Sequence, residues 1–421
     1  MNAHILRVFS ERSFLFLWIG EVFTQISTNL FYFFLIIIVY QLTRSNTAVS
    51  GVVLSFTVPA IFFGTIAGAY VDRWDKKKVL IITNIFRALL LVLLAFSLHN
   101  VGLIYLISFL FAIFVQFFIP AESPMLPLVV RKEWLMHANA LFGLAIFGSV
   151  LVAYVLSGPI LIFFQPFKTV LLIAAMLFAG ALFIMFIKPV YSTRPVRTKK
   201  KVKQQNIFID MKQALSLMKH TRTITHSLFL LSLSQILILI LATIAPGYAA
   251  QILDIPVVQF PLIFVTPAAL GMVIGSVVLI NVFHSHPKQR IITIGIFLSG
   301  IAMLLLPFGS KVASREIVHS INVYLPHALK ITILHIMVVL AFLLGVANSL
   351  VFIPANTRLQ EHTSEEIRGK IYGLLNTFIG ILSLVPIILV GGLSDLIGVS
   401  SVIIGIGISL IVLGFVNMSM K

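Results

Sequence analysis

Three ionisable side chains stand inside long apolar runs, where a charge is costly and is a functional candidate by default. Glu21 lies seven residues into the first run, about 10 Å deep at a rise of about 1.5 Å per residue. Arg87 lies nine residues into the third run, about 14 Å from the same face. Glu122, in the fourth, precedes Arg131 by nine residues and so sits at similar depth. The third and fourth runs are consecutive and antiparallel, so Arg87 is expected to pair with Glu122. That leaves Glu21 as the free acid able to carry a proton. Gln25 and Asn29 follow Glu21 at spacing four, on the same helical face, and make a polar stripe suited to lining a cavity. The competing reading is that all three charges are structural, with Glu21 close enough to the interface to snorkel. Gln116, Gln235, Asn348 and Asn376 are further amides inside apolar runs, their facing open.

Those residues need a membrane to make sense of them. Of 421 residues, 59% are hydrophobic and 10% charged, against about 45–50% and about 25% in soluble domains; the mean hydropathy is +1.09. A spanning helix takes about 20 mostly apolar residues. Such runs fall at 14–42, 48–71, 78–98, 101–129, 138–164 and 168–188, and again at 224–252, 257–283, 290–308, 328–354, 370–393 and 398–418. None alternates with period two, which excludes spanning strands. The first run is too long for a signal peptide and reads as the first span. With the N-terminus inside, 24 Lys and Arg fall on cytoplasmic segments, 5 on outer ones, and Arg87 within a span. This is the positive-inside rule for an even number of spans with both termini cytoplasmic, in a plasma or inner membrane. The net charge of +17 therefore reports topology and contact with anionic lipid, not nucleic acid. The chain has no cysteine, which excludes disulfides and thiolate metal sites. No phosphate loop, zincin helix or nucleophile elbow is present, so neither an enzyme nor a cofactor is expected.

One long polar interruption divides the chain into an N-terminal six-helix bundle (1–190), a linker (191–222) and a C-terminal six-helix bundle (223–421). In the linker, a basic run from Thr198 to Lys203 precedes Ile207, Phe208, Met211, Leu215 and Met218 at helical spacing, a surface helix on the inner leaflet. The halves repeat. Phe118-Ile119-Pro120-Ala121 recurs as Phe352-Ile353-Pro354-Ala355, and Phe56-Thr57-Val58-Pro59-Ala60 with Gly64 and Gly68 is answered by Phe264-Val265-Thr266-Pro267-Ala268 with Gly271 and Gly275. The fold expected is an all-α membrane protein of twelve transmembrane helices, in two six-helix bundles related by a pseudo-two-fold along the membrane normal. Parallel repeats of this kind mark transporters with a solute site near mid-bilayer.

The segment Gly68-Ala69-Tyr70-Val71-Asp72-Arg73-Trp74-Asp75-Lys76-Lys77 resembles the signature loop of the major facilitator superfamily. Leu17-Trp18-Ile19-Gly20, the Pro-Ala element and Ala138-Asn139-Ala140-Leu141 resemble the drug-efflux branch related to macrolide exporters. The resemblance implies a cytoplasmic gate at Gly68, Asp72, Arg73, Lys76 and Lys77. There Gly68 permits close contact and Asp72 faces the N-terminal end of the eleventh span, where an anion is favoured. The matching turn of the second half, Phe283 to Arg290, carries His284 in place of the Asp. His284 and His286 in a turn without a carboxylate are poor metal ligands, and no metal site is expected. Gly148 through Gly158-Pro159 loosely resembles the antiporter motif, with Gly391-Gly392 and Asp395 answering in span eleven. An acid that the efflux branch often carries near the Asn29 position is missing.

These features point to a secondary transporter that exports a small amphipathic or cationic compound by alternating access, exchanged for protons, working as a monomer in the lipid bilayer. The rival readings are a lysophospholipid or lipid flippase, and a sensor or scaffold of transporter ancestry that moves nothing. A continuous polar cavity reaching Glu21 or Asn29 favours transport over the scaffold.

Overall fold

The computed structural model describes residues 8–71, 73–188, 222–282, 286–307, 322, 332–363 and 365–419. Asp72, His284 and the linker helix expected around 207–218 lie outside them. Among the described residues there is no strand, as the lack of alternation requires.

The first helix, α1 (Arg12–Thr43), ends where Arg44 turns to positive φ, and α2 (Asn46–Val71) follows at once. Helix α3 (Lys76–Ala95) opens on three consecutive lysines, an unfavourable charge for a helix N-terminus. Two contacts offset it. Asp75 caps the helix, its Oδ1 accepting from the Lys78 amide at 3.3 Å. Lys77 Nζ turns away to donate to the carbonyls of Met185 and Ile187 at 2.8 and 2.7 Å, at a helix C-terminus where a cation is favoured.

Helix α4 (Val101–Glu122) is shorter than the apolar run that contains it. Pro124 has no amide hydrogen and disfavours helical geometry at Ser123, so the chain breaks into 3₁₀ and single-turn pieces up to Trp134. The next helical run, Leu135–Met185, is broken at Gln165 (φ 59°, ψ 162°) just before Pro166. Its two arms are α5 (135–164) and α6 (166–185).

The second half runs α7 (Arg222–Gln251), α8 (Thr266–Asn281), α9 (Lys288–Leu305), α10 (Ile333–Glu361), α11 (Glu365–Ile397) and α12 (Val399–Ser419). Helix α10 extends past its apolar run to Glu361, because Arg358 and Glu361 find partners at that end: Arg358 donates to Gln289 at 2.6 Å and Glu361 pairs with Lys288. Among the described residues eleven helical runs, α8 counted with the turns before it as Val257–Leu279, are long and apolar enough to cross a membrane, and the break at Gln165 makes Leu135–Met185 two spans, giving twelve there.

The chain forms two compact units. One comprises Met1–Ile38 with Leu54–Asn206; the other comprises Val39–Val53 with Ile207–Lys421. Of the linker expected over 191–222, all but Arg222, the first residue of α7, lies outside the described residues. The repeated elements fall on corresponding helices: Pro120 lies in α4 and Pro354 in α10, each followed by a fully buried alanine.

The glycine pairs differ between the halves. A Cβ on Gly345 would lie 1.8 Å from the Ala268 carbonyl oxygen, and one on Gly271 would lie 2.0 Å from that of Phe342. Helices α8 and α10 therefore meet backbone to backbone, as small residues allow. Gly68, by contrast, has no described atom within 4 Å of its Cβ position. Gly345→Ala is accordingly expected to destabilise the protein by about 3 kcal/mol, because a carbonyl cannot move aside as a side chain can. Gly405→Ala, with nothing within 4 Å, should be neutral or gain up to about 1 kcal/mol of helix propensity. Thermal unfolding of both variants in detergent checks the contrast.

Candidate functional site

The polar residues of the first unit converge inside it. Helix α1 contributes one face bearing Gly20, Thr24 and Thr28, and a neighbouring face bearing Glu21, Gln25 and Asn29. Gly20 lets α6 approach: its Cβ would meet Ile184 at 2.7 Å and the Gly180 carbonyl at 3.1 Å. On the adjacent turn Thr24 donates to the Gly20 carbonyl at 2.8 Å and accepts from Asn84 Nδ2 of α3 at 2.8 Å.

Arg87 is the largest fully buried side chain, 1% exposed. Its guanidinium donates from Nη1 to Thr28 at 3.2 Å, from Nε to the Thr83 carbonyl at 3.3 Å, and from Nη2 to Asn84 Oδ1. Its carbon centre lies 4.6 Å from the Phe118 ring centroid and 5.6 Å from that of Phe111. The cation is thus held by neutral oxygens at its edge and by aromatic faces, which attract positive charge. The expected ion pair with Glu122 is not formed: among the described residues no carboxylate oxygen lies within 4.0 Å of the guanidinium. Arg87 still acts on Glu21 and Glu122 through space. Consecutive, antiparallel helices do bring Arg87 and Glu122 to one level, but Thr28 and Asn84 occupy the donors first.

The acids act on each other. Glu21 and Glu122, 1% and 7% exposed, are buried and interact electrostatically with one another. As two ionised carboxylates they would be acceptors only, and the Oε2 atom of each has no donor. A proton on either acid turns one of its oxygens from an acceptor into a donor. Gln25 Nε2 donates to Glu21 Oε1 at 2.7 Å, and Asn29 Nδ2 donates to the Gln25 carbonyl at 2.8 Å. Gln25 and Asn29 are half-buried, so the stripe runs from the acid pair toward less enclosed surroundings.

The described residues of the expected gate lie at the end of α2, the turn after it and the start of α3. Arg73 is exposed at the turn after α2, with its backbone amide on the Tyr70 carbonyl. Lys76 is half-buried at the start of α3, and Lys77 is committed to the end of α6. Gln116 lies against Gly64, and Asn376 is exposed. Thr24, Thr28 and Asn84 were not singled out from the sequence. Their signal was available: Thr24 and Thr28 continue the Gly20 face at spacing four, and Asn84 precedes Arg87 by three.

The motif residues outside the site have packing roles. Trp18 Nε1 of α1 donates to the Leu141 carbonyl of α5 at 2.9 Å, joining two of the segments that carry the branch resemblance.

Two helical units of spanning length, one enclosing two carboxyls and a guanidinium, define a polytopic membrane transporter fold. The family model of the Major Facilitator Superfamily matches residues 17–325, and the chain belongs to that superfamily and is a multi-pass membrane protein. It is 30% identical over 139 residues to an uncharacterised MFS-type transporter, YkuC, of Bacillus subtilis (strain 168), a match spanning 32% of each chain. About a third of that relative is therefore covered. Among solved structures, a variant of the nucleoside transporter NupG superposes with a TM-score of 0.78 at 14% identity, covering 97% of this chain and 99% of the other. An auto-inhibited POT family peptide transporter gives 0.71 at 13%, covering 97% and 96%. A bacterial homologue of the iron transporter ferroportin, in an inward-facing state, gives 0.67 at 14%, covering 97% and 99%. At such identities the likeness concerns the fold.

Proposed function

We propose that the protein is a proton-coupled exporter of small cationic or amphipathic compounds, with both termini in the cytoplasm of a plasma or inner membrane. The observation that carries this reading is the charge balance of the buried set: two carboxyls against one guanidinium. With one proton on the Glu21–Glu122 pair the set is neutral; without it, the set carries one negative charge. A cationic solute is favoured in the second state and disfavoured in the first, so proton and solute compete, which is the requirement of antiport. The 24-to-5 distribution of Lys and Arg supports the sidedness. The gate proposed at Gly68, Asp72, Arg73, Lys76 and Lys77 retains family resemblance as its support, with Lys77 acting by fixing α3 to α6.

The test is movement of a fluorescent cation such as ethidium in proteoliposomes under an imposed pH gradient, with a neutral nucleoside as comparison. Gradient-driven movement of the cation, and none of the nucleoside, is expected. Cation flux indifferent to the gradient would refute proton coupling, and preference for the neutral solute would refute the cationic class.

A further inference from the structure

Asn84 lies on α3 one turn before Arg87 and is fully buried. Its amide joins two partners: Oδ1 accepts from Arg87 Nη2, and Nδ2 donates to Thr24 Oγ1 of α1 at 2.8 Å. Only one orientation of the amide fits. A guanidinium offers donors alone, and the Thr24 hydroxyl spends its hydrogen on the Gly20 carbonyl at 2.8 Å, so it is left to accept. Helix α6 backs this contact with Gly180, where a Cβ would fall 2.9 Å from Thr24 Oγ1 and 3.5 Å from Asn84 Nδ2. The amide is therefore anchored at both ends.

The guanidinium is fixed with it. Thr28 takes Nη1 and the Thr83 carbonyl takes Nε, so a separate acceptor holds each of its three nitrogens. Held so, it has no carboxylate oxygen within 4.0 Å among the described residues, although its charge acts on both Glu21 and Glu122. The ionisable groups that act on one another here are Glu21 and Tyr32 of α1, Arg87 of α3 and Glu122 of α4; α6 brings Gly180, without charge. Attraction between opposite charges grows as they close, and a contact ion pair favours the ionised carboxyl. A guanidinium free to reach either acid would hold that acid ionised and oppose its protonation. Held back, it leaves both acids able to take up a proton and release it.

We infer that Asn84 is a positioning residue for the two acids: it holds Arg87 short of an ion pair and so sets the pH at which Glu21 and Glu122 exchange protons. What that proton does in transport rests on the exporter reading above; the proton affinity itself does not.

The titration is read directly, by infrared spectroscopy of the carboxyl stretching band of the purified protein in detergent. Glu21→Gln combined with Glu122→Gln identifies the part of the band that belongs to these two acids. Asn84→Leu, which frees the fork, is expected to move the midpoint by about one pH unit toward acid, an about tenfold weaker hold on the proton. Asn84→Asp keeps an acceptor for Nη2 but neutralises the guanidinium at contact, and is expected to move the midpoint the other way. Thr24→Val removes the far anchor of the amide; it should shift the midpoint as Asn84→Leu does, by less, and serves if Asn84→Leu does not fold. Lost packing alone lowers the unfolding temperature of each variant but does not send Asn84→Leu and Asn84→Asp to opposite sides of wild type. Unchanged midpoints in the folded variants, or a shift of the same sign in Asn84→Asp, would overturn the role. Opposite shifts together with cation flux indifferent to the pH gradient would uphold Asn84 and overturn the exporter reading alone.

Discussion

Glu21→Gln is expected to abolish pH-driven accumulation of the cationic solute while leaving solute binding and downhill counterflow in place. A proton exchanged one for one across a gradient of one pH unit supports about tenfold accumulation, since about 1.4 kcal/mol is a factor of ten; an uncoupled carrier supports none. Glutamine preserves the shape of Glu21 and still accepts from Gln25, which donates to Glu21 Oε1 in the native protein. What it removes is one of the two carboxyls that can hold the proton. Because the two acids interact, Glu122→Gln should uncouple as well, and this distinguishes a pair from a single carrier. The measurement is dye accumulation against counterflow in the same proteoliposomes. Full gradient-driven accumulation by Glu21→Gln would sink the coupling role, and full accumulation by Glu122→Gln alone would return the role to Glu21 by itself.

Arg87→Leu is expected to cost about 3–5 kcal/mol of stability, the usual result of leaving buried charge without its counterpart. Three things are lost together: the positive charge acting on the acid pair, the donors that Thr28 and Asn84 receive, and the cation over Phe118 and Phe111. Arg87→Leu combined with Glu122→Leu should recover part of the loss, because one of the two acids then goes. Equal damage in the single and double variants would show that the polar and aromatic contacts, not the charge, are what Arg87 contributes. Arg87→Lys keeps the charge but not the planar fork or the stacked face, so it should fall between wild type and Arg87→Leu. Unfolding temperatures in one detergent order the three variants.

The helices were legible because each span needs its own apolar run, and the runs carry that signal without help from neighbours. The ends were less so. Ser123-Pro124 ends α4 inside an apolar stretch that continues to Val129, and α10 continues beyond its apolar stretch because Arg358 and Glu361 meet Gln289 and Lys288. Hydropathy sees neither the missing amide hydrogen nor the distant partner. Glu21, Arg87 and Glu122 were legible as a set because ionisable residues are rare in spans. How they combine was not, since it depends on which residues of three helices reach the guanidinium first. Thr28 and Asn84 win that place, and neither is conspicuous among the many Ser, Thr and Asn of the chain. Asp395 illustrates the same limit: its type and position could be read, but its partners Ser45, Asn46 and Thr47 lie 348 to 350 residues away.

The glycine seam between α8 and α10 bears on how the second unit holds together during turnover. Where two backbones touch with no side chain between them, there is no rotamer to change and no room for detergent or lipid to enter. The pair must travel as one body, and whatever bending the unit undergoes has to be taken up at other helix contacts. In deuterium exchange the amides flanking Gly271 and Gly345 should be among the last of that unit to exchange, remaining protonated through conditions that already release the helix ends.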